Sequence, residues 1–185
     1  MPGVGEKSAQ RLAFFFLSKP QAVVHQFAEV LTKVRDNIRY CEQCYNLCYD
    51  THCHICQDPS RDTSKICVVA EPSDIVAIEK TNEYKGLYMV LGGLLSPIDG
   101  IHPETLRIPE LIDYCKRETI KEIIFAINPT IEGDATLLYL TKILAPLQIK
   151  QTKLAYGLPV GADIDYTDEM TLQRAFSGRT SLHAV

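Results

Sequence analysis

The sequence contains no apolar stretch long enough to cross a membrane. A membrane-spanning helix needs roughly 20 apolar residues in succession, and no segment of the 185 residues approaches that length. The N-terminus also lacks the basic and then apolar pattern of a secretory signal, so we expect a cytoplasmic protein. Charge of one sign is not in large excess either. The net charge of −4 gives no overall attraction to nucleic acid or to membranes.

The composition is that of a globular protein with one or two domains. Apolar residues make up 46% and charged residues 23% of the chain. The charge is unevenly spread, because residues 1–39 hold six basic against three acidic side chains, while the rest of the chain is acidic. This basic head, residues 1–39, is either a binding surface for a polyanion or an ordinary solvated helix face. The charge count alone favours the second interpretation.

Hydrophobic periodicity predicts an α/β fold. Two amphipathic helices, over 8–17 and 21–35, precede a polar segment that contains few aliphatic residues. Short apolar runs then alternate with helical patterns, which predicts a parallel sheet with helices on both faces. The predicted strands are 66–70, 87–91, 122–127 and 151–156, and the predicted helices between them are 72–80, 109–117 and 133–144.

The polar segment 40–66 carries two C-x2-C pairs. Cys41 and Cys44 form the first pair, and Cys53 and Cys56 form the second. This spacing in a chain without a secretory signal predicts one structural zinc ion, held by four thiolates with no position left for a water molecule. Two redox-active pairs or plain reduced thiols are the alternatives. The remaining cysteines are Cys48 near the cluster and Cys67 and Cys115, both predicted as core residues.

The N-terminal run Pro2-Gly3-Val4-Gly5 leads directly into the first predicted helix. Glycines allow a tight turn, and the N–H groups of a helix N-terminus favour a phosphate. Lys7 and Arg11 are four residues apart, so they share one face of that helix. The pattern resembles the second half of a helix-hairpin-helix, with Lys7 and Arg11 as DNA-binding candidates. An ordinary turn is the equally open alternative.

Acidic side chains follow two of the predicted strands. Glu71 comes after the first strand, and Glu132 and Asp134 come after the third. Carboxylates at the carboxyl edge of a parallel sheet are able to hold Mg²⁺ for phosphoryl transfer. The alternative, which the neutral neighbours Asn128 and Thr130 favour, is that Glu132 and Asp134 cap the helix that begins near Gly133.

These features occur in the order found in a known family. With its Gly-x-Gly head, four-cysteine segment and predicted sheet, the chain resembles the RecR family of bacterial recombination mediators. The resemblance covers essentially the whole chain. It rests on the runs PGVGEKSAQRLA (2–13), ICVV (66–69), LSPIDG (95–100), NPTIEGDAT (128–136), YGLPVG (156–161), DYTD (165–168), TL (171–172) and GR (178–179).

The resemblance implies a non-enzymatic DNA clamp that acts with RecO-type and RecF-type partners. Such proteins assemble as dimers or ring-like tetramers, bind gapped DNA or junctions of single and double strands without sequence preference, and help to load RecA. It also implies a cytoplasmic, nucleoid-associated location. The implied parts are a partial helix-hairpin-helix and helix (1–39), a four-cysteine zinc finger (40–66), a Toprim-like domain (67–155) and a C-terminal assembly segment (156–185).

The resemblance assigns roles to individual residues. The zinc ligands fall on the four cysteines of the C-x2-C pairs and the DNA contacts on Lys7 and Arg11. The partner-binding Toprim surface is predicted from Glu71, Asn128, Glu132 and Asp134.

Several positions depart from the family or from its catalytic relatives. Catalytic Toprim enzymes place a glutamate where this chain has Ala70, and an Asp-x-Asp where it has Asn128-Pro129-Thr130. These changes remove metal ligands. Gly92 stands where many relatives have histidine. A helix-hairpin-helix also needs a first helix before Pro2, and we expect either that this helix is absent from the chain or that the sequence is truncated.

Two further functions stay open as alternatives. One is a Mg²⁺-dependent Toprim enzyme that acts on DNA strands, which the lost ligands disfavour. The other is a protein-binding module stabilised by zinc, which would have lost its DNA affinity through truncation of the first helix.

Overall fold

The computed structural model describes residues 2–117 and 119–181. The chain forms two compact units, one ending at Arg39 and the other beginning at Tyr40. Within the described part of the chain, no helix has both the length and the apolar character that crossing a membrane requires.

The N-terminal unit consists of two helices, α1 (Glu6–Leu17) and α2 (Gln21–Asn37). Both extend no more than two residues beyond the predicted bounds. Pro20 precedes α2, and its φ of −55° leads the chain into the helix. The rings of Phe16 and Phe27 pack with their centroids 5.0 Å apart. No residue of either helix is fully buried, so this unit keeps much of its apolar surface exposed.

A short cysteine segment opens the second unit. Strand β1 (Arg39–Tyr40) pairs with β2 (Leu47–Cys48), and a single helical turn, α3 (His54–Gln57), follows. We call residues 40–57 the cysteine segment. Its buried side chains are mostly cysteines, with Ile55 as the one fully buried aliphatic among them. The segment therefore depends on something other than an apolar core of its own.

The centre of the second unit is a four-stranded parallel sheet in the order β4-β3-β5-β6. In the middle of the sheet, Val68 lies opposite Met89 on one side and Phe125 on the other. All three side chains are buried, as expected for strands covered on both faces. The strands are β3 (Asp62–Val69), β4 (Gly86–Val90), β5 (Glu122–Ala126) and β6 (Lys150–Lys153).

Four helices complete the unit and confirm the predicted α/β architecture. Leu111, Leu140 and Leu144 are the apolar helical side chains most completely buried in the core. Cys67 and Cys115 are buried in the same core, as predicted. The helices are α4 (Pro72–Glu79), α5 (Ile108–Cys115), α6 (Ile131–Leu144) and α7 (Glu169–Ser177).

Two element boundaries, in β3 and β6, differ from the prediction by more than two residues. A third, at the start of α6, differs by two residues and changes which residue caps the helix. Strand β3 begins four residues early, because the polar residues Asp62 and Lys65 also pair with neighbouring strands, opposite Gly86 and Glu122, without an apolar signal. Strand β6 ends at Lys153, and Leu154 adds one last hydrogen bond to the Phe125 carbonyl before the chain leaves the sheet. Helix α6 begins at Ile131, two residues before the predicted start.

The earlier start of α6 corrects the predicted cap. Thr130 is the N-cap residue, and its Oγ1 accepts a hydrogen bond from the Gly133 amide at 3.1 Å. Glu132 and Asp134 instead lie in the first turn, where their charges favour the helix dipole. Gly133 is required for close packing, because a Cβ at this position would overlap the Asn128 carbonyl oxygen.

Candidate metal centre and interaction surfaces

The four cysteines of the C-x2-C pairs converge on one point. The Sγ atoms of Cys41, Cys44, Cys53 and Cys56 all lie within 4.8 Å of one another, and three of these residues are buried. Around a tetrahedral ion with Zn–S bonds of about 2.3 Å, neighbouring sulfurs are about 3.8 Å apart. The Sγ atoms of Cys44 and Cys53 are 3.5 Å apart, so the cluster fits a metal ion at its centre.

Local turns bring the two pairs together. The Cys41 amide donates to the Asn46 carbonyl at 2.7 Å, and the Tyr45 amide donates to the Cys41 carbonyl at 2.9 Å. Tyr45 adopts a φ of +63° that closes this first turn. Cys53 precedes α3, and its amide donates to the Cys41 sulfur at 3.3 Å. Amide donation to a ligand sulfur stabilises a thiolate.

The thiols of the cluster differ in pKa. The pKa of Cys53 is well below that of an ordinary thiol, because the thiols of Cys44 and then Cys56 donate to its sulfur. The pKa of Cys44 is raised, chiefly by its hydrogen bond to Cys53. Cys48 lies outside the cluster, and its thiol donates to the Asp50 carbonyl at 2.9 Å. Among the described residues, the four cysteines are the only group arranged to hold a metal ion.

The cysteine segment is attached to the sheet by specific polar contacts. The Cys44 carbonyl accepts a hydrogen bond from the amide of Val90 in β4 at 2.9 Å. Gln43 Nε2 donates to the hydroxyl of Tyr114 in α5 at 2.8 Å. The four-cysteine cluster is therefore held against the outer strand of the sheet.

An arginine between two tyrosines adds to this attachment. The guanidinium carbon of Arg107 is 4.6 Å from the ring centroid of Tyr40 and 4.5 Å from that of Tyr45. Gly92 leaves room for it, with a φ of +88° and a Cβ position only 2.6 Å from Arg107 Nη1. No sequence pattern indicated this arrangement, since Arg107 is more than sixty residues away from both tyrosines.

Lys7 and Arg11 lie on α1 as predicted from their spacing. Both side chains are exposed, and neither has an ion-pair partner among the described residues. Gly3 has a φ of +73°, which favours glycine in the turn before the helix. Gly5 is the N-cap residue, and its carbonyl accepts the first helical bond from Ala9. The helix N-terminus and the two free cations thus lie within one stretch of the chain.

A cavity of about 400 Å³ opens at the carboxyl edge of the sheet. Three of the four residues predicted for the interaction surface line it, namely Glu71, Asn128 and Glu132. Asp74 and Asp99 also line it and were not predicted. Asp134, the fourth predicted residue, is not part of the cavity lining.

The carboxylates around this cavity are partly used by local structure. Asp74 Oδ2 accepts a hydrogen bond from the Glu71 amide at 2.8 Å, which fixes the start of α4. Asp99 Oδ2 accepts from the Ser96 hydroxyl at 2.6 Å. In the described ranges, no three carboxylates come together around a common point. The cavity is an acidic concave surface and lacks a carboxylate metal cage.

Asp134 lies on α6 and contacts the C-terminal helix instead. Its Oδ2 is 3.0 Å from Nη2 of Arg174 in α7. No local pattern indicated this pair, since forty residues separate its members.

Comparisons with known proteins decide the family. The helix-hairpin-helix model of RecR matches residues 1–35, the Toprim domain model matches residues 64–155, and the RecR C-terminal model matches residues 157–180. Recombination protein RecR from a Nocardioides species is 52% identical over 98% of this chain and 91% of its own length. This chain belongs to the RecR family. The RecR proteins of Thermobifida fusca and Acidothermus cellulolyticus are 50% and 51% identical to this chain. Each match spans 98% of this chain and 92% of the relative.

Membership of the RecR family confirms the predicted resemblance and fold. The Toprim model covers the parallel sheet from β3 to β6, and the C-terminal model covers α7. The cysteine segment lies between the first two matched regions. This RecR-family chain therefore joins a helical head, a four-cysteine cluster and a Toprim sheet.

Proposed function

We propose that this chain is a non-enzymatic recombination mediator. It binds gapped DNA or the junction of single and double strands, and it acts with RecO-type and RecF-type proteins to help load RecA. The near full-length identity of about 50% to proteins named recombination protein RecR carries the proposal. A cytoplasmic, nucleoid-associated location follows from this role.

The DNA contact is assigned to the start of α1. Lys7 and Arg11 offer two cations on one helix face, next to the amides of the helix N-terminus, and neither has an ion pair within residues 2–117 and 119–181. These groups fit successive phosphates and carry no base-reading chemistry, so binding is expected to be independent of sequence.

The cysteine cluster is assigned one structural zinc ion. The thiolates of the two C-x2-C pairs would fill all four positions of a tetrahedral ion. Zinc would supply the stability that the apolar-poor segment lacks. The residues themselves supply the link to the sheet, through the Cys44 carbonyl and the Gln43 amide.

The acidic edge of the sheet is assigned to a protein partner. Glu71, Asn128 and Glu132 line one concave surface, and Asp134 lies beside it on α6. This acidic surface suits a basic patch on a RecO-type or RecF-type protein. The exposed apolar side chains of α1 and α2 suit assembly with further copies of the chain into a dimer or a tetrameric ring.

The donor set disfavours strand-cleaving chemistry. A Toprim enzyme needs a glutamate after its first strand and two aspartates after a later one. Here Ala70 stands in place of the glutamate and Asn128 in place of the first aspartate, and both line the cavity. Thr130 is used as the cap of α6. Among the described residues, no carboxylate cage remains to hold Mg²⁺ at the scissile phosphate.

The proposal is tested by titrating the chain against gapped duplex DNA with Mg²⁺ at several salt concentrations. Binding is expected to weaken with salt, and a denaturing gel of the same samples is expected to show intact strands. Removing two phosphate contacts with Lys7→Ala and Arg11→Ala is expected to reduce the log–log salt slope by about 1.8.

A matched control removes the same charge from the other unit. Lys121→Ala with Lys142→Ala removes two exposed cations that have no ion pair among the described residues, and it is expected to leave the slope unchanged. Equal slopes for wild type and the head variant would contradict the assigned DNA contact. Cut strands would establish the Mg²⁺-dependent enzyme, and RecO-type binding without DNA affinity would establish the protein-binding module.

A further inference from the structure

The first two turns of α6 present an exposed stripe with a carboxylate at its centre. Ile131, Asp134 and Leu138 are spaced three and four residues apart, so they lie on one helix face. Ile131 is 85% exposed and Leu138 is 73% exposed. The stripe therefore offers a partner two apolar side chains and one carboxylate on the same helix face.

The chain itself places a cation on this stripe. Arg174 of α7 holds the Asp134 carboxylate at 3.0 Å, while its guanidinium carbon lies 5.4 Å from the ring centroid of Tyr156. Lys153 approaches the same ring at 4.6 Å. The Asp134 carboxylate is therefore positioned to pair with a guanidinium group.

Helix α7 is only lightly held. None of its residues is fully buried, and Met170 and Phe176 are more than 60% exposed. Its start is closed locally, since Asp168 accepts hydrogen bonds from the amide and hydroxyl of Thr171. The Arg174 ion pair is partly exposed, and pairs of this kind contribute little stability. A competing cation can therefore displace the Arg174 guanidinium from Asp134 at low cost.

We propose that α7 is an intramolecular competitor for the stripe of Ile131, Asp134 and Leu138. Its Arg174 occupies the place that an arginine or lysine of a partner protein takes when the partner's apolar residues cover the two flanking side chains. The occupant is a protein surface that combines a basic residue with apolar neighbours. The inference rests on the proposed function, because it assumes that a RecO-type protein binds the Toprim surface.

The test separates release of α7 from partner binding. Arg174→Gln removes the cation of the pair, and Arg179→Gln is its control. Arg179 lies on the same segment and donates to the Phe176 carbonyl, and it has no carboxylate partner among the described residues. Hydrogen exchange measures protection of residues 169–177, and calorimetry measures the Kd for the RecO-type protein of the same organism.

Arg174→Gln is expected to speed exchange in α7 and to tighten partner binding about two- to fivefold, the range that an exposed ion pair supplies. Asp134→Asn is expected to speed exchange equally but to weaken partner binding. The charge swap Asp134→Arg with Arg174→Asp is expected to restore protection of α7 while abolishing the gain in affinity. Arg179→Gln is expected to match wild type in both measurements.

Two results would overturn the inference and leave the proposed function standing. One is unchanged exchange in Arg174→Gln, which would show that the ion pair does not hold α7. The other is faster exchange with equal or weaker partner binding, which would show that α7 does not compete. If wild type binds DNA but no RecO-type partner, the proposed partner surface and the competition built on it both fail.

Discussion

Replacing Arg107 by alanine is expected to loosen the cysteine segment from the sheet. Arg107 belongs to the sheet side, at the residue before α5, whereas Tyr40 and Tyr45 belong to the cysteine segment. The guanidinium lies between the two rings, at 4.6 Å and 4.5 Å from their centroids. One substitution therefore removes two cation–π contacts across this junction.

The magnitude follows from the two contacts. Each cation–π contact at a partly exposed position contributes about 0.5–1 kcal/mol, so Arg107→Ala is expected to cost about 1–2 kcal/mol. In a chain of this size, 1 kcal/mol corresponds to a shift in Tm of about 2–4 °C. The expected fall in Tm is therefore about 2–8 °C. The hydrogen bonds from Val90 to Cys44 and from Gln43 to Tyr114 remain and keep the segment attached.

Thermal unfolding followed by circular dichroism measures this effect on the zinc-loaded chain. Tyr45→Phe keeps the ring and is expected to have the Tm of wild type. Tyr45→Leu loses one of the two cation–π contacts and is expected to have a lower Tm. Arg117→Ala is the matched control, because Arg117 lies over the ring of Tyr114 at 4.3 Å, a local contact between residues three apart at the C-terminal end of α5. An Arg107→Ala variant that melts within about 1 °C of wild type would refute the proposed role of the stacked arginine.

Three further perturbations test other parts of the structure. Gly133→Ala is expected to lower the free energy of unfolding by about 1–3 kcal/mol in urea titrations, because its Cβ would overlap the Asn128 carbonyl. Arg61 donates to the Glu79 carboxylate and lowers its pKa, so this pair stabilises the fold above the ordinary glutamate pKa of about 4.3. That stability is lost as pH falls through the lowered folded-state pKa, and Glu79→Gln is expected to flatten this part of a pH–stability curve. Cys53→Ser is expected to reduce bound zinc below one ion per chain, measured by elemental analysis.

Each of these has a matched control or a contradicting result. Gly157→Ala is expected to be close to neutral, because no atom lies within 4 Å of its Cβ position. A Glu79→Gln variant with the acid sensitivity of wild type would contradict the role of the Arg61 pair. Cys48→Ser is expected to keep a full equivalent of zinc, and equal zinc loss in both cysteine variants would contradict the assigned ligand set.

Local patterns in the sequence were sufficient for most of the secondary structure. The alternation of apolar runs and helical stripes reports burial directly, which is why β4 and α6 were predicted within two residues. The polar start of β3 was missed because Asp62 and Lys65 pair with neighbouring strands through their backbone. The Asp62 carboxylate is satisfied locally by a hydrogen bond from the Ser64 hydroxyl. Backbone pairing leaves no trace in hydropathy.

The four-cysteine cluster was also predictable, for a chemical reason. A C-x2-C pair places two sulfurs on one tight turn, so the spacing alone limits what the residues can do. The acidic surface was predictable only in part. Glu71, Asn128 and Glu132 follow strand ends and meet at one edge, but Asp99 reaches the same cavity from a loop with no strand signal.

What the sequence by itself determined was the order of the parts and the chemistry of each local motif, because periodicity, spacing and residue type act over a few residues. Only the tertiary structure decided which distant side chains meet. Arg107 between two tyrosines, Gly133 against the Asn128 carbonyl and Asp134 held by Arg174 are pairings over long sequence separations or through packing geometry. Their partners are selected by how the helices and strands pack, which no local pattern encodes.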